Sequence, residues 1–317
     1  MNDYKEYVCD LLYRMTINTD EEGREVKNSK EQVSWKAMRE AERLDHSSLI
    51  SVTAEMVRES QDAETRKNAC FLLSQLAKNT GNMVAVRIML DEFLLTTDMR
   101  TKSSMLGFFT YVPKIPDAEP FLALSKSQNN DIRQKAIQVL ARCQPEHVKE
   151  RLLELIRNSK NDCDKIYTIR TLSELRMGEL LSEVLGHIIS TNAKVRSLVI
   201  RFAGDFGNAA HIPLFIEALK NDRSTEVKYH AMKAIDRLGE LTHIDTVLKR
   251  VKAIISRKQR GGGVFPKSEL MYGISFLYRV ASDHDEVKKL LYSLQTSKSD
   301  RLFEHEAEWL AQLVEKR

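Results

Sequence analysis

Side chains capable of chemistry are plentiful here, but their spacing matches no catalytic or metal-binding pattern. Eight histidines (His46, His147, His187, His211, His230, His243, His284 and His305) are scattered along the chain. None forms an HExxH pair or stands with paired cysteines, the spacings that place two metal ligands on one helix face or turn. Cys9, Cys70, Cys143 and Cys163 lie far apart without a CxxC, so they read as reduced thiols, mostly buried, of a cytoplasmic protein. No GxSxG elbow, GxGxxG turn, kinase signature or EF-hand loop is present. Carboxylates abound, and any two close together are expected to be surface charges. The residues therefore imply no catalytic group, no metal and no cofactor.

What does recur is a base. Arg66, Arg100, Arg133, Lys165, Arg196 and Lys228 follow one another at intervals of 31 to 34 residues. The clearest copies are Asp131-Ile132-Arg133-Gln134-Lys135-Ala136-Ile137, Ala193-Lys194-Val195-Arg196-Ser197-Leu198-Val199 and Thr225-Glu226-Val227-Lys228-Tyr229-His230-Ala231. Three and seven positions after the base come residues suited to burial: Ala69 and Leu73, Ala136 and Leu140, Val199 and Ala203, Ala231 and Ile235. Such spacing stacks side chains on one helical face.

The elements that must position these bases follow from the period. Each unit reads as an amphipathic helix, a polar break, and a second helix opening on an apolar residue and the base. One such pair cannot bury its apolar face alone, whereas stacked pairs share a continuous core. Asp131, Asn192 and Thr225 are the expected N-caps of the second helices. The pattern resembles the HEAT superfamily, in its phycobilin-lyase-like variety. The best match runs from Val195-Arg196 through Ala203-Gly204-Asp205-Phe206-Gly207-Asn208-Ala209-Ala210-His211-Ile212-Pro213, and a looser one from Val227 through Arg237-Leu238-Gly239.

The resemblance covers about residues 47–317 and implies an all-α fold, an α-α superhelix (solenoid) of about seven to eight HEAT-like helix pairs. Second helices line the concave face of HEAT arrays. Arg100, Arg133, Arg170, Arg196, Lys228 and Arg237 are therefore candidates to border a partner-binding groove. A structural role stands beside that one, in which Asp131 pairs with Arg133, and Glu226 with Lys228, as ladders between repeats.

Residues 1–45 read as an N-terminal helical cap with a charged loop over Asn18–Lys30, and 46–317 as the repeat array. At the far end, Leu302, Phe303, Trp309, Leu310 and Leu313 form the expected buried face of one amphipathic helix. A basic, Gly-rich insertion near 256–266 interrupts the array. The segment from Lys249 to Gly263 carries many bases and no acid, and the next equivalent base is Lys267. Its Arg257, Lys258 and Arg260 join the candidate partner contacts. The triple glycine lacks the GxxxxGK[ST] spacing of a phosphate-binding loop.

Bulk composition fits a helical binding protein. Of 317 residues, 42% are hydrophobic and 30% charged, with 6 Pro and 12 Gly to interrupt helices. No apolar run is long enough to span a bilayer, and the first residues lack a signal peptide's basic and apolar regions. The net charge of +4 is too mild to mark a dedicated nucleic-acid protein. The leading expectation is thus a non-catalytic scaffold for protein–protein interaction. Nucleic-acid binding through a basic stripe is the alternative, and a HEAT-like alkylpurine DNA glycosylase or a bilin lyase stands behind both. The two tryptophans, Trp35 and Trp309, belong to opposite ends of the array and cannot share a glycosylase cleft. Oligomeric state is left open by the sequence.

Overall fold

Helix after helix begins on a side chain that satisfies its own first turn, and this fixes the repeat. The computed structural model describes residues 2–257 and 267–315. The chain opens with α1 (Asn2–Arg14) and α2 (Val33–Ala41), separated by a segment that holds an isolated bridge between Thr19 and Glu25. Glu40 ties the two helices together, accepting from the Tyr7 hydroxyl at 2.7 Å and from the Arg14 guanidinium at 2.8 Å.

Eight helix pairs follow among the described residues. They are α3 (Ser48–Glu59) with α4 (Ala63–Thr80), α5 (Met83–Leu95) with α6 (Met99–Phe109), and α7 (Glu119–Leu124) with α8 (Asn130–Val139). Then come α9 (Pro145–Asn158) with α10 (Asp162–Glu174), and α11 (Leu181–Leu185) with α12 (Ala193–Phe206). The last are α13 (Ile212–Asn221) with α14 (Thr225–Leu238), α15 (Ile244–Ile255) with α16 (Glu269–Ala281), and α17 (Asp285–Gln295) with α18 (Glu304–Glu315).

Contacts divide the chain into two units, Met1–Leu155 and Ile156–Arg317. In the first, α4, α6 and α8 are successive neighbours in one layer, while α3 lies beside α5 in the other. In the second, α10, α12, α14 and α16 form one layer, and α13 lies beside α15 in the other. Both units are therefore all-α solenoid segments of stacked helix pairs.

The second helices start at equivalent caps. Asp62, Asp98, Asn129, Asn161, Asn192, Ser224 and Ser268 each accept a backbone N–H from the first turn of the helix that follows. Each cap satisfies donors the helix itself cannot, worth about 1 kcal/mol. Asn192 is thus a cap as expected. Asp131 and Thr225 are not: they lie inside the first turn, because Asn129 and Ser224 reach the free N–H groups first.

All eight residues expected in the core, Ala69, Leu73, Ala136, Leu140, Val199, Ala203, Ala231 and Ile235, have no exposed surface. Small residues among them bring helices close. At Gly204 of α12, an added Cβ would lie 3.1 Å from that of Ala234 on α14.

The terminal helix needs one correction. Leu310 is buried, and Leu302, Trp309 and Leu313 are partly so, but Phe303 is exposed and stacks on His305. Phe303 precedes α18 rather than belonging to it, so it falls outside the helical stripe. The buried charge there is Glu306, which accepts from the Ser268 hydroxyl at 2.6 Å and from the Phe303 N–H at 3.0 Å.

Candidate functional site

Counting from each N-cap sorts the bases into two classes. Arg66, Arg133, Lys165, Arg196 and Lys228 all stand four residues after the cap. Arg100 does not. Asp98 caps α6, so Arg100 is only two residues in, and Lys102 holds the equivalent place. Lys267 precedes the Ser268 cap of α16, where Tyr272 takes that place. The insertion shifted the apparent period.

Bases at the fourth position fold back over the turn they follow. The Arg66, Arg133 and Arg196 guanidiniums donate to the carbonyls of Ser60, Ser127 and Ser190, six residues earlier, at 2.8, 2.7 and 2.7 Å. Arg66 also pairs with Glu92 at 3.3 Å. Arg196 grips Asp222 through two hydrogen bonds of 2.8 and 3.0 Å. The Arg196 and Asp222 side chains are 19% and 11% exposed, and the guanidinium holds the Asp222 carboxyl below its ordinary pKa. These arginines brace the break between helices.

The inter-repeat ladders use other partners than those expected. Asp131 pairs with Lys135 at 3.0 Å and accepts from Ser103 of α6, while Glu226 reaches back to Lys194 of α12. One helical turn separates Asp131 from Lys135, a favourable i,i+4 geometry, whereas residues two apart point to different faces. Lys228 instead directs its amine towards the Lys220 carbonyl at 3.5 Å, and burial lowers its pKa, helped by the nearby Arg250 charge.

Arg237 does a third job. Its guanidinium donates to the carbonyls of Gly204 and, at 3.1 Å, Gly207 at the C-terminal end of α12. Arg279 repeats this on α14, donating to Asp236 and Gly239 at 2.6 and 3.1 Å. Last-turn carbonyls lack intrahelical donors, and a cation there also suits the helix dipole.

A second row is only loosely held. Arg170, Arg201 and Lys233 each stand nine residues after the caps Asn161, Asn192 and Ser224, and all three are exposed. They lie on the exposed side of the α10–α12–α14 layer. Arg170 makes a cation–π contact of 6.0 Å with Tyr167. Arg201 has Asp205 at 3.8 Å, a loose pair, and Lys233 forms no ion pair among the described residues. Sequence reasoning found Arg170 and missed Arg201 and Lys233; a fixed offset from the cap is the signal that finds all three.

Beside this row, α12, α14 and α16 enclose a hollow of about 150 Å³ lined by Arg201, Asp205, His230, Lys233, Asp236 and Tyr272, with Gly204 and Ala234 at its base. Burial drives the His230 pKa down to about 4, and its Nδ1 has no hydrogen-bond partner. Burial raises the Asp236 carboxyl, against a hydrogen bond from Ser275. Among the described residues no serine, threonine or cysteine lines this hollow.

A larger hollow of about 410 Å³ in the first unit is lined by Arg66, Glu92 and Asp98 and by Cys70, whose thiol burial pushes to about 12. Such a thiol is inert at neutral pH. Among the described residues, no cluster of three or more metal-ligating side chains occurs, and no helix is long and apolar enough to cross a membrane. Of the insertion's candidates, Arg257 is exposed at the end of α15, and Lys258 and Arg260 lie outside the described residues.

No family model and no curated protein matches the sequence. Solved structures do match. Importin beta, crystallised in an ammonium sulfate condition, aligns at 12% identity and a TM-score of 0.55 over 98% of this chain and 44% of its own. Kap121p bound to Nup53p aligns at 12% identity and 0.51 over 99% of this chain and 36% of its own. This chain thus spans less than half the length of either. The complex of CpcE and CpcF of phycocyanin lyase from Nostoc aligns at 12% identity with a TM-score of 0.34, too low to favour that variety of the repeat. At such identities the likeness speaks for fold alone, and with the stacked, capped helix pairs it shows an all-α solenoid.

Proposed function

We propose that the chain is a non-catalytic protein-binding scaffold. In this reading, the free face of the α10–α12–α14 layer is the docking surface. The observation that carries it is the row Arg170, Arg201 and Lys233, three exposed cations at one place on successive helices, held by no more than a cation–π contact of 6.0 Å at Arg170 and a loose ion pair of 3.8 Å at Arg201. An exposed charge held so loosely contributes little to stability, and a periodic set of them suits a ligand that runs across the helices. Importin-type neighbours support the reading by analogy, since Kap121p is seen bound to Nup53p. Four free cysteines, two of them buried, agree with a reducing cytoplasmic setting.

Nucleic-acid binding fits this face less well. Asp205 and Glu174 lie one turn beyond the cations on the same helices and would repel a continuous phosphate backbone.

Affinity capture from the native host, with nuclease treatment, tests the proposal. The wild-type chain is compared with a variant carrying Arg170→Glu, Arg201→Glu and Lys233→Glu, and with Lys298→Glu as a control. A protein held by the wild type and by the control, resistant to nuclease and lost from the triple variant, is the expected result. Retention by the triple variant would refute this surface, and loss with nuclease would favour nucleic acid.

A further inference from the structure

We infer that the partner is an extended segment bearing acidic side chains at every third position, its carboxylates meeting Arg170, Arg201 and Lys233 in turn. This rests on the docking surface proposed above and specifies what it takes.

The spacing comes from the fold. The three cations occupy the same position on three successive helices of one layer, 31 and 32 residues apart in sequence. Axes of packed helices lie about 8–10 Å apart. An extended chain in the polyproline II conformation advances about 3.1 Å per residue with three residues per turn, so residues three apart share a face and lie roughly the same distance apart. Glutamates at i, i+3 and i+6 therefore present one carboxylate to each helix, whereas adjacent glutamates crowd onto one.

The flanking rows agree with a sparse anion better than a dense one. On one side lie Tyr167, the buried Leu198 and His230, six residues after their caps, a row that brings a half-buried ring and a neutral imidazole and no acid to the residues in between. On the other lie Glu174, Asp205 and Arg237, thirteen after. Two carboxylates there disfavour charge at every position of the ligand. Between Arg201 and Lys233, the 150 Å³ hollow gives one carboxylate a seat. Asp205, at 3.8 Å, holds Arg201 loosely enough to yield it.

The test uses the full chain and fluorescently labelled synthetic peptides in low salt, read by anisotropy. One peptide carries three glutamates at every third position among serines; its isomer carries them consecutively. An oligothymidylate of similar length is the third probe. The spaced peptide is expected to bind about tenfold more tightly than its isomer. That binding is expected to vanish in the triple glutamate variant, with its melting temperature unchanged, and to persist in Lys298→Glu. Lys233→Gln, a milder change, is expected to weaken the spaced peptide and leave the isomer little altered.

Equal affinity for the two peptides, or preference for the isomer, overturns the spacing. Tighter binding of the oligothymidylate than of either peptide overturns the acidic peptide as occupant. In both cases the docking surface stands if the native partner is still lost from the triple variant, so the two failures are distinguishable.

Discussion

Replacing Arg196 by alanine separates bracing bases from binding bases. The guanidinium makes two hydrogen bonds to Asp222 and donates to the carbonyls of Ser190 and Thr191 at 2.7 and 3.1 Å. Removing one partner of a largely buried ion pair costs about 3 kcal/mol, because the other charge stays behind. Two carbonyls that regain water only partly add about 1 kcal/mol. The expected loss is therefore about 3–4 kcal/mol, or a fall of about 10 °C in melting temperature for a unit of this size.

Urea denaturation followed by circular dichroism measures the loss. Arg170→Ala, at an exposed position, serves as control and is expected to change stability by less than about 0.5 kcal/mol. A double-mutant cycle with Asp222→Asn is expected to show a coupling of about 2 kcal/mol. The pH dependence has a definite sign. Asp222 is held below the ordinary 3.8, so its contribution is fully present above that pH and is lost as pH falls through its folded value. The penalty of Arg196→Ala is thus constant from neutrality to mild acid and shrinks below. A penalty under about 0.5 kcal/mol at neutral pH would refute the bracing role.

Cysteine reactivity and histidine titration probe other parts of the fold. In the native state, an alkylating reagent is expected to modify the exposed Cys9 and Cys163 and spare Cys70 and Cys143, whose thiols burial pushes to about 12; modification of all four without denaturant would contradict the core. His230 is expected to titrate near 4 by NMR, since burial and the charges of Arg201, Lys233 and Lys194 outweigh Glu226. The unfolded imidazole takes its proton near 6.5, so the stability from neutral His230 is full above that pH and is lost as pH falls towards 4. His230→Gln is expected to flatten this slope, and an unchanged slope would assign it to other groups.

Fold and period were legible because their signals are local. The residues three and seven after Arg66, Arg133, Arg196 and Lys228 are all buried, since every stacked helix needs the same face. What the bases do was less legible. Arg133 and Arg196 repeat more conspicuously than Arg170 and Arg201, yet they repeat because each helix start needs a donor folded back over the preceding turn. Position relative to the cap decides which job a base does, and the caps were off by one or two residues at Asp131 and Thr225. The same slip made Arg100 and Lys267 look equivalent to Arg133. Lys233 escaped notice because a lone base in the middle of a helix carries no signal until it is counted from the cap.

Lysine labelling of the complex with the captured partner tests the docking surface most directly. The chain, free and bound, is treated with an amine-reactive reagent, and each lysine is followed by mass spectrometry. Lys233 is exposed and unpaired in the free chain, whereas Lys252 pairs with Glu286 and lines, with Lys298, a separate hollow beside α15 and α17. If the partner lies across α10, α12 and α14, labelling of Lys233 falls several-fold on binding while Lys252 and Lys298 stay as they were. Unchanged labelling of Lys233, with Lys252 and Lys298 shielded, would place the partner elsewhere and contradict the proposal.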